Sequence, residues 1–474
     1  MKRQFKFCIL IFVFAFSFSA NAQYTKLIDF NNSSNGGVPF GSLYYDGTFL
    51  YGMTAYGGTD SNGIIFKIKP DGTGFVKLLD FSGILNGYNP CGSLIYDGIF
   101  FYGMTFNGGL NNGGVIFKIK SDGTGFSKLL DFDGTATGSN PLGSLFSDGT
   151  FLYGMTRDGG TNFSGTIFKI KFDGTGFSKL FDFDSTNGYS AHGSLISDGT
   201  FLYGMTWVGG ISNFGVIFKI KFDGTGYTKL HDFTGHYLDG EIPDGSLITD
   251  GTFLYGITQS GGKNFLGTIF KIKFDGTGYS RLFEDFNVTN GLSPSGSLIS
   301  DGTFLYGMAL QGGTIGNGTI FKIKQDGTGF SKLFDFAGST NGGYPQGSLI
   351  FNGTFLYGMT TNGGSNNKGV IFKYDLSASG ILEKKFSSPE VSIFPNPATN
   401  ELHVSAGLPT GQAGSTSKLT VQLFDVTGKE VSPIISFTHS ASISTQALSQ
   451  GIYFLKITDE DNVLVKMEKV AVVK

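Results

Sequence analysis

Hydrophobic positions along this chain fall into two regimes. From Phe5 to Ala20 apolar residues follow one another almost unbroken, behind Lys2 and Arg3 and ahead of Ala20-Asn21-Ala22. Beyond Gln23 they come in short runs in which Phe, Tyr, Ile, Leu and Met alternate with Gly, Ser, Thr and Lys. Period-two alternation with aromatic and β-branched enrichment predicts half-buried strands. No run has the length or the 3.6-residue period of an amphipathic helix.

The strand-like runs recur in a fixed order. A Gly-Ser-Leu run (residues 143–149) is followed by TFLYGMT (150–156), IFKIK (167–171) and FSKLFDF (177–183). Gly-Ser-Leu begins at Gly41, Gly92, Gly143, Gly193, Gly245, Gly296 and Gly347, at intervals of 51, 51, 50, 52, 51 and 51 residues. Asp-Gly-Thr joins the first two runs, and Asp173-Gly174-Thr175-Gly176 and its equivalents join the last two. Both are tight-hairpin chemistry, because glycine reaches positive φ without a Cβ clash. A double glycine such as Gly159-Gly160 follows the second run. A four-stranded antiparallel sheet of about 50 residues, repeated with short links, predicts the blade of a β-propeller. The fourth run also occurs once before the first Gly-Ser-Leu, at Lys26–Phe30, and the last period stops after three runs at Tyr374. The expected fold is therefore all-β, a seven-bladed propeller of four-stranded blades whose N-terminal strand closes the last blade and removes an exposed edge.

The pattern changes after the propeller. Residues 377–390 lack alternation and read as a linker. Residues 391–474 hold several short strands, among them Leu419–Val426 and Ile452–Ile457, which predict an Ig-like β-sandwich. The expected organisation is a signal peptide at 1–22, a propeller at 23–376, the linker, and a C-terminal domain at 391–474. The leading apolar run is shorter than the ~20 residues that span a bilayer, and the small residues Ala20 and Ala22 suit signal-peptidase cleavage after Ala22. No later stretch is apolar enough to cross a membrane, so no transmembrane segment is expected in the mature chain.

The repeat order resembles kelch-like propellers in its double glycine, although Phe168 and Phe177 stand where kelch prefers Tyr and Trp. Residues 24–375 are more similar to the Gly/Phe-rich GloVer-type tandem repeats of bacterial secreted proteins, a family defined by its repeat rather than by an activity. The C-terminal segment resembles the type A C-terminal sorting domain of the type IX secretion system. It does so through FPNPATN at 394–400, LFDVTGKEV at 423–431, GIYFLKI at 451–457 and the tail Lys469 to Lys474. This resemblance implies passage across a Gram-negative outer membrane. It also implies cleavage by a sortase-like protease, and cargo attached to surface lipopolysaccharide or released. The secretion machinery and that protease are the partners it implies.

Composition narrows the remaining choices. Glycine makes up 75 of 474 residues against a usual ~7%, yet proline is only 12, which excludes a collagen-like or Pro-rich disordered chain. A net charge of −3 argues against a nucleic-acid partner. Cys91 is the only cysteine beyond the leader, so no intrachain disulfide holds the mature protein. No metal-ligand spacing, nucleophile elbow or phosphate loop occurs, and neither a catalytic residue, a metal nor a cofactor is expected. The repeated Asp71, Asp122, Asp173, Asp223, Asp275 and Asp326 read as turn formers.

Residues shared by every period build the blades, so ligand contacts are expected where the periods differ. The irregular residues gather in blades three to five: Arg157, Asp158, His192, Trp207, and the loop containing His236, Tyr237, Asp239 and Glu241. Aromatic and polar side chains together suit a sugar. The reading favoured by the sequence is a secreted or surface-displayed, monomeric, non-catalytic binding propeller for glycans or surface proteins. Two alternatives stand beside it. One is a carbohydrate-active enzyme using acids such as Asp158 and Glu241, and the other is a structural or adhesive surface protein.

Overall fold

A computed structural model describes residues 23–235, 237, 239–377, 390–394, 398–407, 419–425, 429–438, 440–458 and 464–473. The signal peptide, most of the linker, His236, and parts of the FPNPATN, LFDVTGKEV and Lys474 tail motifs lie outside these residues. The described residues contain strands and no helix. Contacts divide the chain into two compact units, Met1–Ser379 and Gly380–Lys474.

The first unit is an array of four-stranded antiparallel sheets, consistent with a propeller. Among the described residues, seven such sheets occur in it. In the third, the strands are Phe146–Ser147, Phe151–Met155, Thr166–Lys171 and Ser178–Asp182, in that order. The last sheet is composite. Strand β1, Tyr24–Asp29, lies on the outside of Val370–Asp375, which pairs with Phe355–Thr360 and then Ile350–Phe351. Each outer pairing carries one register shift, as between Ile167 and Phe168, and β1 has its own between Lys26 and Ile28. A shared bulge at the same place marks β1 as a genuine fourth strand.

Invariant residues of the repeat have local physical reasons. Gly154 pairs with Phe168, and a Cβ on Gly154 would stand 2.5 Å from the Phe168 ring. The glycine of LYGMT thus makes room for the phenylalanine of IFKI to lie across the neighbouring strand, and the aromatic covers the backbone that glycine exposes. Asp148 accepts the Thr150 and Phe151 amides at 2.7 Å each and the Tyr153 hydroxyl at 2.8 Å, tying the first hairpin to the second strand. In the outer hairpin Asp173 accepts the Thr175 amide and hydroxyl at 2.8 and 2.7 Å, the turn-forming role expected of it.

Neighbouring sheets pack face to face through apolar cores. Tyr51, Met53, Ile65 and Phe81 of the first sheet meet Leu94, Phe101, Phe117 and Ile119 of the second, all essentially buried. The same arrangement recurs at each junction and returns from the last sheet to the first through Tyr357, Met359, Leu43 and Phe66. Each fully buried side chain of this size is worth about 1.5–3 kcal/mol. Tyr24 of β1 stacks on Phe334 of the preceding sheet at 4.2 Å and 3°, as Tyr227 does on Phe181 at 4.0 Å and 5°. Lys169 reaches across the other end of a junction. Its Nζ donates to the Phe222 carbonyl at 3.2 Å and sits 5.0 Å from the Phe151 ring centre.

At the inner ends the structure departs from the four full strands expected. Five of the first strands are two residues long, and the two nine-residue ones, Glu241–Thr249 and Leu292–Ser300, break register at their Gly-Ser pair, whose serine amide bonds sideways to the next sheet. The Ser42 amide donates to Ser93 Oγ at 2.8 Å, Ser93 to Ser144 at 2.7 Å, and Ser144 to Ser194 at 2.8 Å. The series continues through Ser246, Ser297 and Ser348 and closes from the Ser348 amide to Ser42 Oγ at 2.8 Å, across 306 residues. A Cβ on any of the preceding glycines would stand 1.9–2.5 Å from the next glycine's carbonyl oxygen. The backbones approach one another too closely for any other residue.

In the second unit a three-stranded sheet (Glu390–Phe394, Glu401–Gly407, Ser440–Ser444) and a four-stranded sheet share one core. Leu402, Val404 and Ile443 of the first meet Val421, Leu423, Leu455 and Val470 of the second.

The axial approach makes one prediction. Gly143→Ala forces a methyl to 2.1 Å from the Gly193 carbonyl oxygen, and should destabilise the first unit by about 1–3 kcal/mol or more. Thermal unfolding measures this, and a melting temperature equal to that of the parent contradicts it.

Candidate functional site

The closed Gly-Ser ring floors a cavity of about 560 Å³. Two further layers of residues stand on that floor, the lower contributed once per sheet and the upper by five of the seven sheets, at the end where the second strand runs into its double glycine. The lower layer is the residue just before each Gly-Ser. It is apolar on one side, with Phe40, Cys91 and Leu142, and polar on the other, with His192, Asp244, Ser295 and Gln346. The upper layer comes from the ends of the second strands and includes Ala55, Phe106, Trp207, Gln259 and Leu310.

The polar side is cross-linked between sheets. Ser295 Oγ donates to Asp244 Oδ2 at 2.8 Å and the Gly296 amide reaches the same oxygen at 3.2 Å. The Trp207 indole stacks on the His192 imidazole at 4.6 Å and 20°. Trp207 Nε1 is buried without a hydrogen-bond partner, a cost of about 1–3 kcal/mol for an indole N–H cut off from water. Ser190 Oγ lies 3.3 Å from His192 Nε2. Burial pushes the His192 pKa below its ordinary 6.5; Asp244 and Asp158 pull it back and Arg157 adds to the fall. The ring is therefore neutral at pH 7. On the apolar side, desolvation pushes the Cys91 thiol up to about 12, so it stays protonated and weakly nucleophilic.

Arg157 stands at the edge of this cavity. Its guanidinium lies 4.6 Å from the Phe106 ring centre and donates to Asp158 Oδ2 from Nε and Nη2 at 2.8 and 2.5 Å. Of the residues singled out in the sequence, His192 and Trp207 thus line the cavity together, with the Arg157–Asp158 pair beside them.

The third group is placed elsewhere. Glu241 sits in the ladder opposite Ser260, away from the cavity lining. Tyr237 is 63% exposed and packs edge-on against Phe265 at 4.4 Å. Asp239 is turned inward and 6% exposed. It accepts the Thr234 and Gly235 amides at 2.9 and 3.1 Å and lies 2.9 Å from His231 Nε2. Burial would raise its pKa, but these bonds outweigh it and hold the carboxyl below the usual carboxylate range. Its polar atoms are engaged in shaping its own loop.

Phe40, Cys91, Leu142, Asp244, Ser295 and Gln346 were not singled out by sequence reasoning. The signal was present, as a variable residue immediately before each invariant Gly-Ser. Among the described residues, no group of three or more His, Cys, Asp or Glu is arranged to hold a metal.

The profile of the Gloeobacter/Verrucomicrobia repeat matches residues 96–253 and 237–399, together more than half of the chain. The chain belongs to this repeat family. Behind its Gloeobacter/Verrucomicrobia repeats, residues 392–472 match the secretion system C-terminal sorting domain, which implies export to the cell surface or extracellular space. No helix among the described residues is long and apolar enough to cross a membrane.

No curated protein matches the chain. Solved structures with similar folds include PorZ, an essential bacterial surface component of the type-IX secretion system of Porphyromonas gingivalis. It is 14% identical, over 94% of this chain and 61% of that one, with a TM-score of 0.47. A puromycin-hydrolyzing peptidase of Mycobacterium tuberculosis is 11% identical, over 82% and 62%, with a TM-score of 0.50. The chain spans about three fifths of the length of either protein. An oligogalacturonate lyase in complex with manganese is 10% identical, over 75% and 97%, with a TM-score of 0.47. At 11% identity the likeness to the peptidase speaks to fold alone.

His192 makes the stability of the first unit pH-dependent. Its folded pKa lies below 6.5, so below about pH 6.5 the unfolded chain takes up a proton that the folded chain refuses. That contribution to stability is complete above this window and is lost as pH falls through it. Denaturant unfolding at about pH 7 and about pH 5 should show a smaller loss for His192→Gln than for the parent. Equal losses in the two proteins would refute the assignment.

Proposed function

We propose that this protein is a seven-bladed β-propeller exported through the type IX secretion system, acting at the cell surface or outside the cell as a non-catalytic binding module. One observation carries the binding reading. The repeat is nearly invariant in its hairpins, its inter-sheet cores and its axial ring, yet two layers of unlike residues meet on that ring in one cavity. Seven sheets, seven apolar junctions and a ring of serine bonds that returns to its start support seven blades. An Ig-like reading of residues 391–474 is supported by the two-sheet core. The Tyr453 hydroxyl also donates to the Ser449 carbonyl, four residues upstream, at 2.9 Å, in the manner of a tyrosine corner.

The geometry favours binding over acid–base chemistry. Asp158 is engaged by Arg157, and Glu241 stands outside the cavity lining, so neither acid faces a partner of opposite role across a common space. On this reading the ligand enters from the double-glycine end. The sorting domain is removed by a sortase-like protease during export, and the propeller works as a monomer.

Export and binding are tested separately. Deleting residues 391–474 should leave the protein in the periplasm, as fractionation and surface proteolysis would show; a truncated protein that still reaches the surface defeats the export reading. For binding, substitutions in the cavity lining should abolish whatever interaction the exported protein makes, while substitutions in the outer Asp-Gly-Thr-Gly hairpins leave it intact. The reverse pattern would move the site away from the axis.

A further inference from the structure

We infer that the axial cavity takes a sugar ring without negative charge, a neutral or amino sugar at the end of a glycan. This rests on the binding reading above and adds the class of ligand.

The floor supplies the first reason. Each of the seven ring serines accepts one backbone N–H at 2.7–2.8 Å. A hydroxyl has one donor and two lone pairs, so each Oγ keeps a donor and a lone pair for a ligand. Such a floor meets a polyhydroxylated molecule on equal terms, because every group on either side both gives and takes.

The walls supply the second. Phe40, Leu142 and Phe106 present apolar surface beside Asn89 and Asn107, while His192, Gln259 and Gln346 present hydrogen-bonding groups beside Trp207 and Leu310. A pyranose carries both kinds of surface, with C–H faces that pack on aromatic and aliphatic side chains and a rim of hydroxyls that needs donors and acceptors. The cavity volume of about 560 Å³ lies within the ~300–1,000 Å³ of small-molecule sites.

Charge decides which sugars are accepted. Both protein donors to Asp244 go to Oδ2, leaving Oδ1 as an acceptor for a hydroxyl or an ammonium. Of the charged groups in contact with the lining, Arg157 is held by Asp158, and His192 is neutral at pH 7. A uronate would bring its carboxylate toward Asp244 with no Lys or Arg in the lining to receive it, and like charges in a partly desolvated site repel strongly.

The test uses the full chain and a built-in reporter. Trp207 is the only tryptophan in the sequence and lines the cavity, so its fluorescence reads occupancy directly. The probes are oligosaccharides ending in glucose, N-acetylglucosamine, glucosamine or glucuronate, followed by fluorescence and by calorimetry. The inference expects a saturable change in Trp207 emission with at least one neutral or amino-terminated probe and none with the glucuronate series. Asp244→Asn and Trp207→Phe should each weaken binding at least tenfold by calorimetry, with melting curves confirming that both variants fold. Phe163→Ala, on an exposed loop outside the lining, should bind as the parent does.

Binding that survives both cavity substitutions, or glucuronate bound as well as glucose, overturns the inference. Silence toward every sugar also overturns it. If the silent protein still captures a peptide or protein, and Trp207→Phe abolishes that capture, the binding reading stands and only the ligand class falls. If it captures nothing, both fall.

Discussion

The fold is organised around how closely seven backbones approach one another at the axis. Each Gly-Ser pair donates an amide to the next serine hydroxyl, and the series closes on itself. That spacing explains residues which otherwise look arbitrary. Glycine precedes each serine because a methyl would collide with the neighbouring carbonyl, and the serine is needed because a lateral acceptor must replace the ladder bond its amide forgoes. Moving outward, the sheets diverge, and the gap is filled by progressively larger side chains: Leu and Met, then Tyr and Phe, and finally the stacked rings of the outer strands. Disulfides have no part in this, since Cys91 is unpaired.

A repeat under this constraint separates architecture from specificity. Positions that touch a neighbouring copy of the same motif are bound to the motif, because a change in one sheet needs an answer in the next. Side chains that point into the axial space meet few such copies, the Ser295–Asp244 bond being one such meeting, and differ from sheet to sheet. The cavity lining therefore concentrates the individuality of the protein, much as binding loops do on other scaffolds. In the layer just before each Gly-Ser, polarity is divided by chain order, apolar from the first three sheets and polar from the later ones, because sheets adjacent in sequence are adjacent around the axis.

The strand pattern, the order of strands and the displaced β1 were legible in the sequence because they rest on local periodicity and on comparison between copies. His192 and Trp207 were legible because they are unlike their counterparts. The residues before each Gly-Ser were harder to read: Phe40, Leu142 and Gln346 have no common chemistry, and only the radial arrangement brings them together. Asp239 misled for the opposite reason. It looks like an irregular, available acid, but its oxygens are taken up by Thr234, Gly235 and His231 within its own loop, a closure that residue type alone does not announce. Periodicity does not register that each Gly-Ser serine amide bonds sideways, so the break this makes in every first strand goes unread.

Strand β1 also changes how the molecule bears a load. The chain leaves the first unit through Val370–Asp375, which without β1 would be the outermost strand of its sheet. With β1 in place it is held by five register pairs on one side and six on the other. Tension arriving from the C-terminal direction must then tear two ladders together, where an edge strand would peel from one. Any tension applied to the chain beyond Asp375 therefore meets both ladders at once, with strand β1 gripping the point of traction.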